Sequence, residues 1–115
     1  MVKVLIVDDS RLSTSALSNM LGDLGHTVID TAYSGEQGIE LAKNNNPDVV
    51  CLDYVMPGID GKETAKKLTM QNPRLKIVMI TQNELDSSIK TEIKARAYIV
   101  KPITKQKLET AFSKL

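Results

Sequence analysis

Short apolar segments alternate with segments of helical periodicity five times along this chain, and no other sequence feature constrains the fold as strongly. The apolar segments cover residues 2–7, 26–32, 48–52, 76–80 and 97–100. Such alternation predicts parallel strands joined by right-handed crossovers, with helices on both faces of one sheet. Since five-stranded sheets of this type commonly have the order 2-1-3-4-5, we predict an α/β fold with that order.

Capping and breaking residues mark the predicted helices, which cover residues 11–24, 34–43, 62–71 and 85–94 and a last segment after residue 104. Gly25 is typical of a helix C-terminus. Ser34 and Gln37 have the spacing of a capping box, and Thr104 is expected to cap the last helix. Helix breakers, Asn-Pro pairs, follow the second and third helices.

Length and composition limit the function classes. The 115 residues predict one domain, and a net charge of +1 with three Tyr, one Phe and no Trp disfavours direct nucleic-acid binding. The apolar runs are too short for membrane insertion. The single cysteine, Cys51, excludes an internal disulfide and favours a cytoplasmic location.

Polar side chains follow four of the predicted strands. Asp8 and Asp9 follow the first strand, Asp53 the third, Thr81 the fourth and Lys101 the fifth. Because parallel strands bring their carboxyl ends to one edge of the sheet, we expect these side chains to lie close together. In the predicted order, the first and third strands flank the crevice in which such folds bind ligands.

Three carboxylates at this edge are expected to repel one another. At about 5 Å and an effective dielectric of about 20, each pair costs roughly 3 kcal/mol. Either a carboxyl is protonated or a cation lies among them, and oxygen ligands favour Mg²⁺, for which Mn²⁺ can substitute. A carboxylate can also attack phosphorus and form an aspartyl-phosphate. Lys101 can then offset its charge, and Thr81 can donate a hydrogen bond to it.

Each of these residues has a simpler structural interpretation when it is taken alone. Adjacent acids before a helix are often N-caps, as Asp9 or Ser10 would be here. Asp53 alone would be a turn former, Thr81 a structural residue and Lys101 a solvated charge. Only their combination at one sheet edge favours a functional site.

The chain resembles the receiver domains of two-component response regulators, the CheY-like family, over essentially its whole length. The matching residues are Asp8-Asp9 after VKVLIV, Asp53 after DVVCL, the MPGIDG of residues 56–61, Thr81, Tyr98 and Lys101-Pro102. This family has the strand order 2-1-3-4-5, so the fold prediction and the resemblance share part of their basis. The resemblance implies that residues 1–115 form one receiver domain, a signalling phosphoacceptor and not an enzyme.

The resemblance also implies the chemistry of the site. Asp53 would take a phosphoryl group from a phosphohistidine on a histidine kinase or a histidine phosphotransfer protein. Asp9 would bind Mg²⁺ directly, Asp8 mostly through water, and Val55 through its backbone carbonyl.

Further residues would connect the site to an output surface. Lys101 would contact the phosphoryl group, Thr81 would move toward it, and Tyr98 would swing inward. The Lys101–Pro102 bond is often cis in this family. The face formed by the fourth helix, fifth strand and fifth helix would then act on a downstream protein or a fused domain.

The sequence departs from the family pattern near the site. Gln82 follows Thr81 where a small residue is usual, which predicts slow phosphorylation by small donors. Val55 and Asn83 occupy positions that resemble the family's rate-tuning sites, and an apolar Val55 predicts a long-lived phosphoryl group. The segment between Thr81 and Lys101 is about two residues shorter than usual, which predicts a short or differently ended fourth helix.

Two other functions are compatible with this fold. One is an unphosphorylated pseudo-receiver that acts only as a protein-interaction module, which Gln82 would favour. The other is an enzyme, either an FMN-binding protein or an Asp-dependent phosphatase. Against an enzyme, no phosphate-binding loop follows the first strand, and the two strand-1 acids are adjacent instead of being separated by one residue.

Overall fold

The computed structural model describes residues 2–115, and the described chain alternates strictly between parallel strands and helices. The strands are β1 (Lys3–Val7), β2 (Thr27–Ala32), β3 (Val49–Asp53), β4 (Lys76–Thr81) and β5 (Ala97–Val100). The helices are α1 (Arg11–Asp23), α2 (Gly35–Asn45), α3 (Gly61–Gln71), α4 (Ser87–Ile93) and α5 (Lys105–Phe112). The sheet has the order β2-β1-β3-β4-β5, which confirms the predicted topology. None of the described helices is long and apolar enough to cross a membrane.

Helices cover both faces of the sheet, so its central strands are buried on both sides. Leu5 and Leu52 pack with residues of α2, α3 and α4, whereas Ile6 and Cys51 pack with residues of α1 and α5. Successive strand residues point to opposite faces, and this explains why β1 and β3 are almost continuously hydrophobic. The same alternation decides on which face a polar residue at a strand end will lie.

The helix N-termini are capped by side chains in four of the five described helices. Ser34 Oγ accepts a hydrogen bond from the Gln37 amide, as the capping-box pattern predicts. The reciprocal bond differs, because Gln37 Oε1 accepts from the Tyr33 amide, at 2.7 Å, and not from Ser34. Thr104 caps α5 as predicted, and its Oγ1 accepts from the Lys107 amide at 3.1 Å.

Helix α4 is the exception, and it is shorter than the predicted segment of residues 85–94. It has 7 residues, and the side chain of its N-cap, Asp86, makes no capping hydrogen bond. Its last residue, Ile93, is followed by the C-cap Lys94, whose φ of 59° is in the left-handed region that favours glycine. The sequence prediction of a short or differently ended fourth helix is therefore confirmed.

Candidate functional site

Two buried carboxylates lie side by side at the carboxyl ends of β1 and β3. The strands pair in parallel with Val7 opposite Leu52, so the residues that follow, Asp8 and Asp53, are neighbours. Asp8 is 4% exposed and Asp53 is 6% exposed, whereas Asp9 is exposed. One oxygen from each of these three acids lies within 4.8 Å of the others. The predicted carboxylate cluster is therefore present.

Lys101 is the cation that faces this cluster. Its Nζ lies 3.6 Å from Asp53 Oδ1 and 4.0 Å from Asp8 Oδ2. Strand alternation explains the meeting, since Ile6, Cys51 and Ile99, which precede these three residues by two positions, all pack on the α1–α5 side. The Lys101 amide also donates to the Thr81 carbonyl, which anchors the backbone beside β4.

The electrostatic environment opposes ionisation of Asp53. Burial raises the pKa of its carboxyl from 3.8 to about 6, and the negative charge of Asp8 acts in the same direction. Lys101 lowers this pKa, but the two raising effects prevail. A second cation among the acids would remove most of this penalty, and a set of carboxylate oxygens suits a hard divalent ion such as Mg²⁺. The residues present therefore fit a magnesium site.

Asp8 has a structural role in addition to its charge. Its Oδ1 accepts a hydrogen bond from the Ser10 amide at 2.9 Å, and Ser10 Oγ accepts one from the Ser13 amide at 3.2 Å. This chain of bonds connects the end of β1 to the first turn of α1. Asp8 Oδ2 is the oxygen directed at Lys101, so the carboxylate is held in one orientation from both sides.

The acids and Lys101 line an open cavity of about 400 Å³. Val55 and Gln82, both named from the sequence, also line this cavity, and Val55 is 66% exposed. Ser10 and Ser13 line it as well. From the sequence, Ser10 is expected only as a helix cap and Ser13 is not predicted to be near the site; Ser13 lies in the first turn of α1, where its amide donates to Ser10 Oγ.

Gly61 allows the backbone at the start of α3 to approach the site closely. Its amide donates to the Tyr54 carbonyl, and a Cβ atom added to Gly61 would lie 2.6 Å from the Asp53 carbonyl oxygen. No real Cβ tolerates that distance, so any side chain here would displace Asp53 or α3. The MPGIDG segment therefore contributes to the site through its backbone.

Thr81 and Tyr98 lie apart from the cavity-lining residues. Both occupy strand positions that face α2–α4, on the same side as Met79. Thr81 Oγ1 donates to the carbonyl of Asn83 at 2.7 Å, and the Tyr98 hydroxyl donates to the carbonyl of Lys90 at 3.0 Å. In this structure, neither hydroxyl is directed at the acids.

Two further positions named from the sequence, Asn83 and Pro102, directly follow the cavity-lining residues Gln82 and Lys101. Asn83 is exposed and supplies the carbonyl that holds Thr81. Pro102 is exposed and follows a cis peptide bond, as expected for this position.

Comparison with known proteins shows which family this chain matches. The sequence model of one family, described as "Response regulator receiver domain", matches residues 4–113. The chain is 41% identical over 87 residues to the response regulator GacA of Pseudomonas syringae pv. syringae, a match that covers 75% of this chain and 41% of GacA. It is 35% identical over 112 residues to protein PilH of Pseudomonas aeruginosa, covering 94% of this chain and 92% of PilH. The chain thus spans about two fifths of the length of the GacA relatives and almost all of PilH.

A similar chain occurs in the crystal structure of the CheX–CheY–BeF3–Mg complex from Borrelia burgdorferi. The two share 30% sequence identity with a TM-score of 0.89, over 96% of this chain and 85% of the other.

Proposed function

This chain belongs to the response regulator receiver domain family, and on that basis we propose that Asp53 is the residue that accepts its phosphoryl group. One observation carries the assignment: three carboxylates converge within 4.8 Å, and the Lys101 ammonium lies 3.6 Å from Asp53. Asp53 is the central acid of the proposed site, since it is paired with the lysine and lies next to Asp8.

Receiver domains bind Mg²⁺ at an acidic pocket, and we assign that role to Asp8, Asp9, Asp53 and the Val55 carbonyl. When bound, the ion would neutralise the acids and the oxygens of an incoming phosphoryl group. The Ser10 amide keeps Asp8 oriented for this role. Mn²⁺ would substitute, because it also prefers oxygen ligands.

The proposed reaction is a single phosphoryl transfer. An Asp53 oxygen forms the new P–O bond while the P–N bond of a phosphohistidine on the donor breaks. The electron pair of that bond stays on the imidazole nitrogen, which takes up a proton from water. Lys101 offsets charge on the phosphoryl oxygens, and its partial burial strengthens that interaction.

The partners follow from this chemistry. The donor would be a histidine kinase or a histidine phosphotransfer protein, since these carry the phosphohistidine. Thr81 and Tyr98 would transmit the modified state to the face of α4, β5 and α5, and this face would act on a downstream protein or a fused domain. A cytoplasmic location fits the single, buried and unpaired Cys51.

Mass spectrometry distinguishes this proposal from an enzymatic function. After incubation with Mg²⁺ and a phosphohistidine donor, the proposal expects one base-labile phosphoryl adduct per chain, and none when EDTA replaces Mg²⁺. Continuing release of phosphate from simple phosphoesters, without an adduct, would instead indicate a phosphatase. A chain that never acquires the adduct would act as a pseudo-receiver.

Gln82 is expected to slow phosphorylation by small donors, because its side chain lines the cavity through which they must enter. Gln82→Ala should raise the rate with acetyl phosphate by roughly three- to tenfold, which corresponds to about 0.7–1.4 kcal/mol. The measurement is the rate of adduct formation in Mg²⁺. Gln106→Ala removes an exposed amide on α5, outside this cavity, and should leave the rate unchanged. Equal rates for Gln82→Ala and the wild type would refute the obstruction.

Val55 is expected to prolong the phosphoryl lifetime, because an apolar side chain in the cavity cannot position an attacking water. Val55→Asn should shorten the lifetime about fivefold, as expected if one new hydrogen bond contributes about 1 kcal/mol to hydrolysis. Decay of the adduct after removal of the donor measures this effect. Leu12→Asn makes a similar change at another exposed apolar residue, on α1 and outside the cavity, and serves as the control. A lifetime that Val55→Asn does not alter would contradict the inference.

A further inference from the structure

A second cavity, distinct from the acid site, lies between α3 and α4. Its volume is about 720 Å³, and we call it the α3–α4 groove. It is lined by the exposed side of α3, by the end of α4 and by the segment that leads into β5. Asp8, Asp9, Asp53 and Val55 do not line it, so the groove is separate from the acid site.

Positive charge dominates this groove. Lys62, Lys66, Lys94 and Arg96 line it and are exposed, whereas Glu92 is its one acidic lining residue in the described chain. The whole chain has a net charge of only +1, so this concentration of cations is a local feature. A groove of one predominant sign attracts and orients a partner of the opposite sign.

The floor of the groove is apolar. Leu75, Ile77 and Ile93 are buried at its base, and Met70, at the end of α3, is 75% exposed. Methionine is flexible and polarisable and is frequent at surfaces that bind protein segments. A ligand that matches the groove therefore carries both negative charge and an apolar side chain.

The end of α4 keeps two of these cations at the groove. Lys94 terminates the helix in the left-handed conformation, with φ 59°, and Arg96 follows as the chain turns into β5. A non-glycine residue is strained in this conformation. Strained residues are often found at functional sites, and here the strained residue is itself a groove cation.

One carboxylate already occupies the mouth of the groove. Glu92 Oε2 on α4 lies 2.7 Å from Lys62 Nζ on α3, and both side chains are about half exposed. This pair is one example of a carboxylate bound by a cation of the groove. Lys66, Lys94 and Arg96 have no carboxylate within ion-pair distance among the described residues, so they remain available to a partner.

We propose that the α3–α4 groove binds an acidic segment of another protein, whose carboxylates pair with Lys66, Lys94 and Arg96 while an apolar side chain packs against Met70. A nucleic acid fits less well, because none of the described groove residues is aromatic and the apolar floor would stay uncovered. The proposal does not depend on phosphorylation of Asp53.

Fluorescence anisotropy tests the proposal with a labelled peptide of glutamates flanking a central leucine. The wild-type chain should bind it, and the Lys66→Glu/Arg96→Glu double variant should bind at least about tenfold more weakly because like charges repel. The control is Lys43→Glu/Lys67→Glu, which makes the same charge change at exposed residues outside the groove and should bind like the wild type. Met70→Gln should weaken binding of the leucine-containing peptide more than it weakens binding of an all-glutamate peptide.

Several outcomes would overturn the proposal. Absence of peptide binding would do so, as would equal weakening by the two double variants, which would show that only net charge matters. Tighter binding of an oligothymidylate, lost only in the groove variant, would assign the groove to nucleic acid instead. The Asp53→Asn variant should bind the peptide as the wild type does, so this result is independent of the phosphoacceptor assignment.

Discussion

Asp53→Asn is expected to abolish the phosphoryl adduct completely. An amide oxygen is a poor nucleophile, so the variant retains the shape of the side chain and loses the group that forms the bond to phosphorus. Asp8 and Asp9 remain in place, but Lys101 Nζ lies nearest to Asp53, so the neighbouring acids are not expected to replace it. Intact-protein mass spectrometry after incubation with Mg²⁺ and a phosphohistidine donor measures the adduct.

Asp86→Asn is the matched control for this result. Asp86 is exposed and precedes α4, and its side chain makes no capping hydrogen bond. The same Asp-to-Asn change should therefore leave the adduct unaffected. An adduct retained by Asp53→Asn and mapped to Asp8 or Asp9 would reassign the acceptor.

Asp53→Asn is also expected to stabilise the metal-free protein. The pKa of Asp53 is raised to about 6 in the fold from an ordinary value of 3.8, so ionisation at neutral pH opposes folding by up to roughly 3 kcal/mol. Asparagine removes this charge from beside Asp8. Urea denaturation in EDTA at pH 7 should show a higher free energy of unfolding for Asp53→Asn than for the wild type.

The gain in the free energy of unfolding that Asp53→Asn produces is expected to depend on pH. Because the folded-state pKa is above the unfolded value, the folded wild type binds more protons between about pH 4 and pH 6. The contribution of Asp53 to stability therefore falls as the pH rises through this window, and the advantage of Asp53→Asn should shrink as the pH is lowered toward 4.

Metal and charge controls complete this experiment. Mg²⁺ should stabilise the wild type more than Asp53→Asn, since it binds the folded acids. Asp86→Asn should show neither the gain in EDTA nor a reduced response to Mg²⁺. Equal stability of Asp53→Asn and the wild type in EDTA at pH 7 would refute the inferred charge penalty.

Sequence patterns predicted the sheet and the acid cluster because both follow from strand alternation. Asp8 and Asp53 are neighbours because both lie at the ends of adjacent parallel strands that pair with Val7 opposite Leu52. Lys101 follows by the same logic, since the residue two positions before it, Ile99, lies on the same face as Cys51. Such features depend on periodicity, which a sequence displays directly.

Other features depend on competition between hydrogen-bond partners, which a sequence does not display. Gln37 Oε1 accepts from the Tyr33 amide and not from the Ser34 amide that a capping box predicts. Thr81 ends β4 as predicted, but its hydroxyl bonds the Asn83 carbonyl instead of facing the acids. These choices depend on the local loop geometry, which periodicity does not specify.

The hydrogen bonds of Thr81 and Tyr98 determine how much free energy a modification at Asp53 must contribute to rearrange these two side chains. Both hydroxyls already donate to backbone carbonyls, so any rearrangement exchanges one hydrogen bond for another of similar strength. If such an exchange changes the free energy by about 1–2 kcal/mol, the alternative arrangement has an equilibrium population of roughly 3–15%. A modification at Asp53 would then need to supply a differential free energy of only this size to favour the second arrangement.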